Sequence, residues 1–283
     1  MSIGTSPEMT TPKAFIAVQH RLKEPWLSIF QEGSQVTWNS LKLPAGFGIA
    51  HFHGEQLSKF WENWDLVHEK IRWKNRWVAV PLRWLDMILG FFFLDKIPQS
   101  RASTQLRISQ TVLEVQCRDT YQFLRWKDLA ILRYFIEHTE ADYIFMTTNN
   151  SYIDFDTLAT LIESLPKNNL YAGVKPYEGA TFAAGNNRLL SRDVAEAILR
   201  HRRKFSAGYI EDVAMGRLAA KLGLKFQELN SVVIGSFAEL QATNDSVLIS
   251  NYHFRVKSGS LNSRNDVKLM LALHKRMLDL KSR

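Results

Sequence analysis

Glu211 and Asp212 stand together at the head of a predicted helix running to about residue 222. Two acids in a first turn complement the helix macrodipole. A carboxylate in such a place can also take a proton from a hydroxyl nucleophile. Asp119, eight residues before Lys127, follows an apolar run and precedes a predicted helix. It can cap free N–H groups or accept from a sugar hydroxyl. His253, Arg255 and Lys257 alternate along Asn251 to Lys257, so an extended segment would aim all three at one face. Arginine suits a phosphate, because its planar fork meets two oxygens at once. Gly185, followed by Asn186, lets the backbone approach a ligand closely or take a positive φ. Ser191 reads as an N-cap for the next helix.

The elements that must position these residues are legible in outline. Tyr143 to Met146 is a short apolar run suited to a central strand, and Leu158, Leu161, Ile162 and Leu165 mark one face of a helix capped by Asp154 or Asp156. Between them lies the polar hinge Thr148-Asn149-Asn150-Ser151-Tyr152. Ligands sit outside the carboxyl ends of strands in open α/β sheets, so a substrate is expected at this hinge. Lys13 to Val18 reads as a first strand opening onto Gln19-His20-Arg21, and 46–52 as a second strand ending at His51 and His53. Those two histidines share a strand face, with no third metal ligand evident nearby. Further strands are expected near 111–117, 142–147 and 170–174. Helices are expected near 124–138, 155–165, 192–203 and 211–222. Such alternation predicts an α/β sandwich with a mostly parallel central sheet flanked by helices.

At 283 residues the chain has ample length for one large domain, with a polar, disordered N-terminus at 1–12 and a single domain over 13–283. A Trp-rich helical insertion is expected at about 56–100. It holds five of the eight tryptophans with Lys and Arg between them, which is the composition of an interfacial element, and 61–94 is a candidate for peripheral membrane contact. The run 78–94 is too short and too interrupted to span a bilayer. A net charge of +8 favours an anionic partner. A nucleic-acid-binding role lacks any recognisable module. The lone Cys117 excludes an internal disulfide and reads as a small buried hydrophobe. With no secretory signal at the N-terminus, a cytoplasmic setting is expected, at the inner face of the membrane if the insertion docks there.

Five segments taken together resemble the fringe-like, β-1,3-galactosyltransferase-like glycosyltransferases. They are strand-Thr148-Asn149-Asn150-Ser-Tyr-Ile, Asp119-Thr-Tyr with Lys127, Phe182 to Ser191 around Gly185, Glu211-Asp212-Val213 with Gly216 and Leu222-Gly223, and the late His253. The match covers about residues 13–257 in consistent order. It departs from the family at Thr148-Asn149-Asn150, where three aspartates usually hold a metal, at Phe123-Leu124, and at Asn186-Asn187-Arg188, which replace small residues. The resemblance implies a GT-A nucleotide-diphospho-sugar transferase fold and a divergent member that suits a bacterial enzyme. It implies an inverting transfer from a nucleotide sugar, UDP-linked first, to a glycan or lipid-linked glycan hydroxyl. Asp212 would be the general base, with Glu211 beside it. Gln19, His20, Arg21, Asp119, Lys127, Thr148, Asn149, Asn150, Gly185, Asn186, His253, Arg255 and Lys257 would line the donor site. No metal ligand and no cofactor are expected, beyond a weak dependence on manganese or magnesium. The alternative is a catalytically degenerate relative that only binds a nucleotide or glycan. Nucleic acid is not an expected partner.

Overall fold

The computed structural model describes residues 13–55, 97–103, 110–120, 123–205, 209–259 and 264–283. The expected disordered N-terminus and nearly all of the expected Trp-rich insertion, including the stretch 61–94 named as a candidate for membrane contact, lie outside the described residues.

The chain forms a mixed α/β sandwich around a large central sheet. Strand β1 (Ala14–Gln19) lies near its middle, paired in parallel with β2 (Phe47–Glu55) on one side. Beyond β2 come β4 (Thr111–Arg118), parallel, and β3 (Ser100–Ala102), antiparallel at the edge. On the other side of β1 lies β5 (Tyr143–Thr148), also parallel. Then come β8 (Asn187–Ser191), which is reversed, and β7 (Tyr171–Gly173) with β9 (Phe226–Glu228). Strands β4, β2, β1, β5, β7 and β9 therefore point one way, and β3 and β8 the other. The parallel majority matches the sequence-based expectation. The reversed β8 was not foreseen, because Asn187-Arg188-Leu189-Leu190-Ser191 is short and follows a Gly-Asn-Asn run that reads as a loop.

Alternate residues of β1 enter two separate cores, Phe15 and Ala17 on one face, Ala14, Ile16 and Val18 on the other. A sheet covered on both sides needs such an apolar run. The first core packs under α2 (Leu124–His138), α4 (Arg192–Arg200) and α5 (Glu211–Lys221). The second packs under α3 (Phe155–Glu163) and the long C-terminal α8 (Asp266–Lys281). Each fully buried large side chain, Phe145 among them, contributes about 1.5–3 kcal/mol. The short helices α1 (Trp26–Ser28), α6 (Phe237–Ala242) and α7 (Asp245–Ser250) fill corners. Cys117 is buried and its thiol is pushed up to about 12 by burial, as befits a core residue.

A second, three-stranded sheet completes the architecture: β10 (Val232–Ile234), β11 (His253–Val256) and β6 (Ser151–Ile153). The chain leaves the main sheet at Asn149-Asn150 and enters the small one one residue later, so the polar hinge is a switch between sheets. Asp154 then caps α3, its Oδ1 accepting from the Thr157 N–H at 3.0 Å. No helix among the described residues is long and apolar enough to cross a membrane.

Candidate active site

The carboxyl ends of β1, β4 and β5, the start of the reversed β8 and the first turn of α5 meet at one edge of the sheet. Gln19, at the end of β1, donates from Nε2 to Asp128 Oδ1 at 2.7 Å. Asn149 N–H bonds the Gln19 carbonyl at 3.0 Å, tying the ends of β1 and β5 together. Lys127 Nζ donates to Asp119 Oδ1 at 2.5 Å and to the His20 carbonyl at 3.3 Å, and both charged side chains are buried. Asp119 is thus paired to α2 rather than capping it, because that helix starts only at Leu124. Its Oδ2 is enclosed and has no hydrogen-bond partner among the described residues. Arg21 Nη2 donates to the Asp119 carbonyl at 2.5 Å.

His20 is buried and stacks on Phe30 with ring centroids 4.2 Å apart. His51 Nε2 meets Gln110 Oε1 at 2.7 Å, and His53 bonds the Gly54 carbonyl and Ser103 Oγ, both at 2.8 Å. Burial holds all three rings neutral, with His51 lowered to about 4. The two strand histidines therefore serve as hydrogen-bonding core residues.

On the other side of the edge, two missing side chains set the position of α5. A Cβ on Gly216 would sit 2.2 Å from the Phe182 Cβ, and one on Gly185 would sit 2.7 Å from Glu211 Oε1. The helix can lie against the 180–185 segment only because neither atom exists. Glu211 is pushed up to about 8, first by burial and then by the charges of Asp128 and Asp212, with Arg188 opposing. Asp212 is also raised, mainly by burial, against the pull of Arg188 and of the Val213 N–H, which donates to its Oδ1 at 2.7 Å. Near neutral pH Glu211 keeps its proton, and Asp212 holds a proton more tightly than a free carboxyl does.

A stability test follows from that proton. Folded Glu211 holds it to about pH 8, whereas an unconstrained carboxyl releases it near 4.5. The stabilisation is complete below the unfolded value and is lost as pH rises through the folded one. Glu211→Gln keeps the shape without the charge, so it should raise the melting temperature by several degrees at pH 9 and barely change it at pH 4. Equal shifts at both pH values would show that the carboxyl is not held neutral.

The late strand β11 supplies the cations. His253 is fully buried, with Nδ1 against Ser231 Oγ at 2.6 Å and Nε2 against Ser151 Oγ at 3.0 Å. Burial lowers it to about 3, so it is a neutral link between β11, β6 and the turn before β10. Of the three residues expected on one face, it is the one whose ring is closed off. Arg255 is half-buried and Lys257 exposed. Lys257 is lowered by the Arg255 charge first, then by burial and by Arg264, which shows how closely three cations crowd here. Arg264 stacks over Trp26 at 4.5 Å from the ring centroid and is anchored by Asp266 at 2.7 Å.

The hinge residues are committed to the fold. Asn149 Nδ2 donates to the Trp26 carbonyl at 2.6 Å, and Thr148 Oγ1 donates to Asn150 Oδ1 at 2.7 Å. The Asn150 carbonyl accepts from the Val256 N–H at 2.9 Å, and the Asn186 carbonyl from Thr147 Oγ1 at 2.9 Å. A divalent cation would find amides already in use and no carboxylate among 148–150, so these residues do not fit the metal that the family resemblance implies. No cluster of three or more His, Cys, Asp or Glu side chains suited to a metal occurs among the described residues.

Four further residues belong to this edge and were not among the sequence-based candidates: Asp128, Arg188, Trp26 and Arg264. Asp128 had a signal, since it extends Arg125 and Lys127 into a charged run on a helix otherwise rich in apolar residues. Arg188 had one too, as a large cation where the resembled family has a small residue.

No protein-family model matches the sequence, and no match is found among curated proteins. Among solved structures, the apo form of the glycosyltransferase GlyE of Streptococcus pneumoniae TIGR4 is similar over 96% of this chain and 64% of that one. Its sequence identity is 9% and its TM-score 0.43. A second structure of GlyE from the same organism aligns over 78% of this chain and 46% of its own, at 6% identity and a TM-score of 0.37. This chain therefore spans less than two thirds of the GlyE chain.

Proposed function

We propose that this protein is a glycosyltransferase that moves a sugar from a nucleotide-sugar donor, UDP-linked first, to a hydroxyl of a glycan or lipid-linked glycan. The observation that carries the reading is the division of charge across the junction of the two sheets, where the Asn150 carbonyl takes the Val256 N–H. A carboxylate pair with raised proton affinity lies at α5, and a crowd of cations lies at the end of β11. Transfer to a hydroxyl needs both: an acceptor for the proton and an offset for the charge of a leaving diphosphate.

In the proposed step the acceptor oxygen attacks the anomeric carbon as its proton passes to the Asp212 carboxylate. The bond from that carbon to the diphosphate oxygen breaks, its electron pair stays with the nucleoside diphosphate, and a single displacement inverts the centre. Asp212 suits the base because burial raises its proton affinity toward the working pH. Glu211, protonated, would donate to the acceptor or hold its orientation. Arg255, Lys257 and Arg264 would meet the diphosphate in place of a metal. Asp119, with one enclosed oxygen unpartnered, would take a hydroxyl of the nucleoside.

A panel of nucleotide sugars, assayed for hydrolysis and transfer with chelator and with manganese, tests the reading. Turnover of at least one donor at a rate insensitive to chelator is the expected result. Tight nucleotide binding without turnover of any donor would instead favour the non-catalytic binder. Activity abolished by chelator and restored by micromolar manganese would overturn the metal-independent half. Lys257→Ala should raise the donor KM by about tenfold or more, since a hydrogen bond to a charged group contributes about 1.5–3 kcal/mol. An unchanged KM would remove that residue from the phosphate site.

A further inference from the structure

Arg188 on β8 and Asp128 on α2 form an ion pair whose side chains are 1% and 0% exposed. The pair is two-pronged: Nη1 to Oδ2 at 2.6 Å and Nη2 to Oδ1 at 3.1 Å. Gln19 adds a third bond to Asp128, so β1, α2 and β8 meet on one carboxylate. Arg188 Nη1 also touches Met215 Sδ at 3.4 Å. Met215 and Glu211 are four apart on α5 and share a face, which places the guanidinium beneath the first turn of that helix. Arg188 Nε and Glu211 Oε2 are both enclosed, with no hydrogen-bond partner among the described residues. Apolar replacement of a buried ion pair is often neutral or stabilising, so stability alone does not account for it.

We propose that the Asp128–Arg188 pair is a positioning device that fixes one guanidinium charge beneath the paired carboxyls of Glu211 and Asp212. Gln19 and Asp128 fix the fork, and the fork presents its positive charge to the carboxylates from below. Among the described residues the groups facing them are Asp128 from α2, Arg188 from β8 and the Tyr171 hydroxyl from β7, the last interacting with Asp212. The charges act in opposite senses, Asp128 favouring the protonated carboxyls and Arg188 the ionised ones. The inference rests on the transferase reading only for the use to which the charge is put.

The test is carbon-13 NMR titration of labelled Asp and Glu side chains in the full chain, with Glu211→Gln and Asp212→Asn assigning the two signals. Asp128→Asn should lower the apparent pKa of the pair by about one unit, and Arg188→Gln should raise it by about one unit or more. A merely structural role predicts something else. Either variant would then loosen and hydrate the site, and both titrations would fall toward the ordinary carboxyl range. A fall or no change in Arg188→Gln overturns the proposal. Should that variant not fold, Arg188→Lys takes its place: it keeps the charge without the fork, and its titration should stay at the wild-type position while kcat drops and donor KM does not. A titration that falls in Arg188→Lys as in Asp128→Asn overturns the proposal equally. Opposite shifts in a protein that turns over no nucleotide sugar would uphold the device and sink the transferase reading. Parallel shifts in an active enzyme would do the reverse.

Discussion

Replacing Asp212 by Asn is expected to slow glycosyl transfer by about 10²–10⁴-fold, the range for loss of a general base, with donor affinity nearly unchanged. The substitution is conservative in shape. An amide oxygen can still accept from the Val213 N–H, as Asp212 Oδ1 does at 2.7 Å, so the first turn of α5 keeps its geometry. What disappears is the proton acceptor. Glu211→Gln should cost far less, because a glutamine resembles the protonated acid that burial already favours there. Single-turnover rates beside calorimetric donor affinities separate the outcomes. An Asp212→Asn enzyme with near-normal turnover would exclude the assignment. The wild-type rate should also climb with pH through a midpoint above the ordinary carboxylate range, since Asp212 is raised and acts as the anion.

The second large effect concerns folding. Lys127→Met leaves the Asp119 carboxylate buried without its partner at 2.5 Å, and is expected to destabilise the protein by about 3–5 kcal/mol. Asp119→Leu combined with Lys127→Met removes both charges and should recover most of that loss. Urea denaturation of the two variants measures it. A Lys127→Met protein as stable as wild type would mean that water or ions reach Asp119 freely. The double variant carries the functional information, because it restores the fold without restoring an oxygen at Asp119. Weakened nucleotide binding in that background would mark the Asp119–Lys127 pair as a ligand contact, not only as a support of the fold.

Where local pattern determines structure, the sequence was readable. Leu124 to His138 is one helix because its apolar residues repeat with helical spacing, and the strand ending at Thr148 announces itself by four apolar residues in a row. The convergence of Gln19, Asp119 and Asn149 followed from a general property of parallel sheets, which gather their carboxyl ends at one edge, whereas Asn186 reaches it through the unforeseen reversal of β8. The unread parts depend on partners distant in sequence. Asp128 and Arg188 are sixty residues apart, and nothing in either neighbourhood states that they meet. Strand β6 has only three residues, and its pairing with β11 crosses a hundred positions. The alternation of His253, Arg255 and Lys257 was visible. That Ser231 and Ser151 close over His253 was not, since burial of a strand's first residue depends on what packs above it.

The switch of the chain between two sheets at Asn149-Asn150 has a consequence for the order in which the molecule is made. Strand β6 has no neighbour in the large sheet. It gains one only when β11 emerges, and the Asn150 carbonyl receives its N–H from Val256, over a hundred residues later. During synthesis the segments bearing Asp119, Lys127 and then Glu211 and Asp212 exist before the strand bearing Arg255 and Lys257. Pairings over such spans form late, because the loops they close are long. A nascent chain therefore holds the acids of this edge, with Lys127 and Arg188 already beside them, before Arg255 and Lys257 exist, and the cations proposed for a diphosphate arrive only as the last strand locks into place.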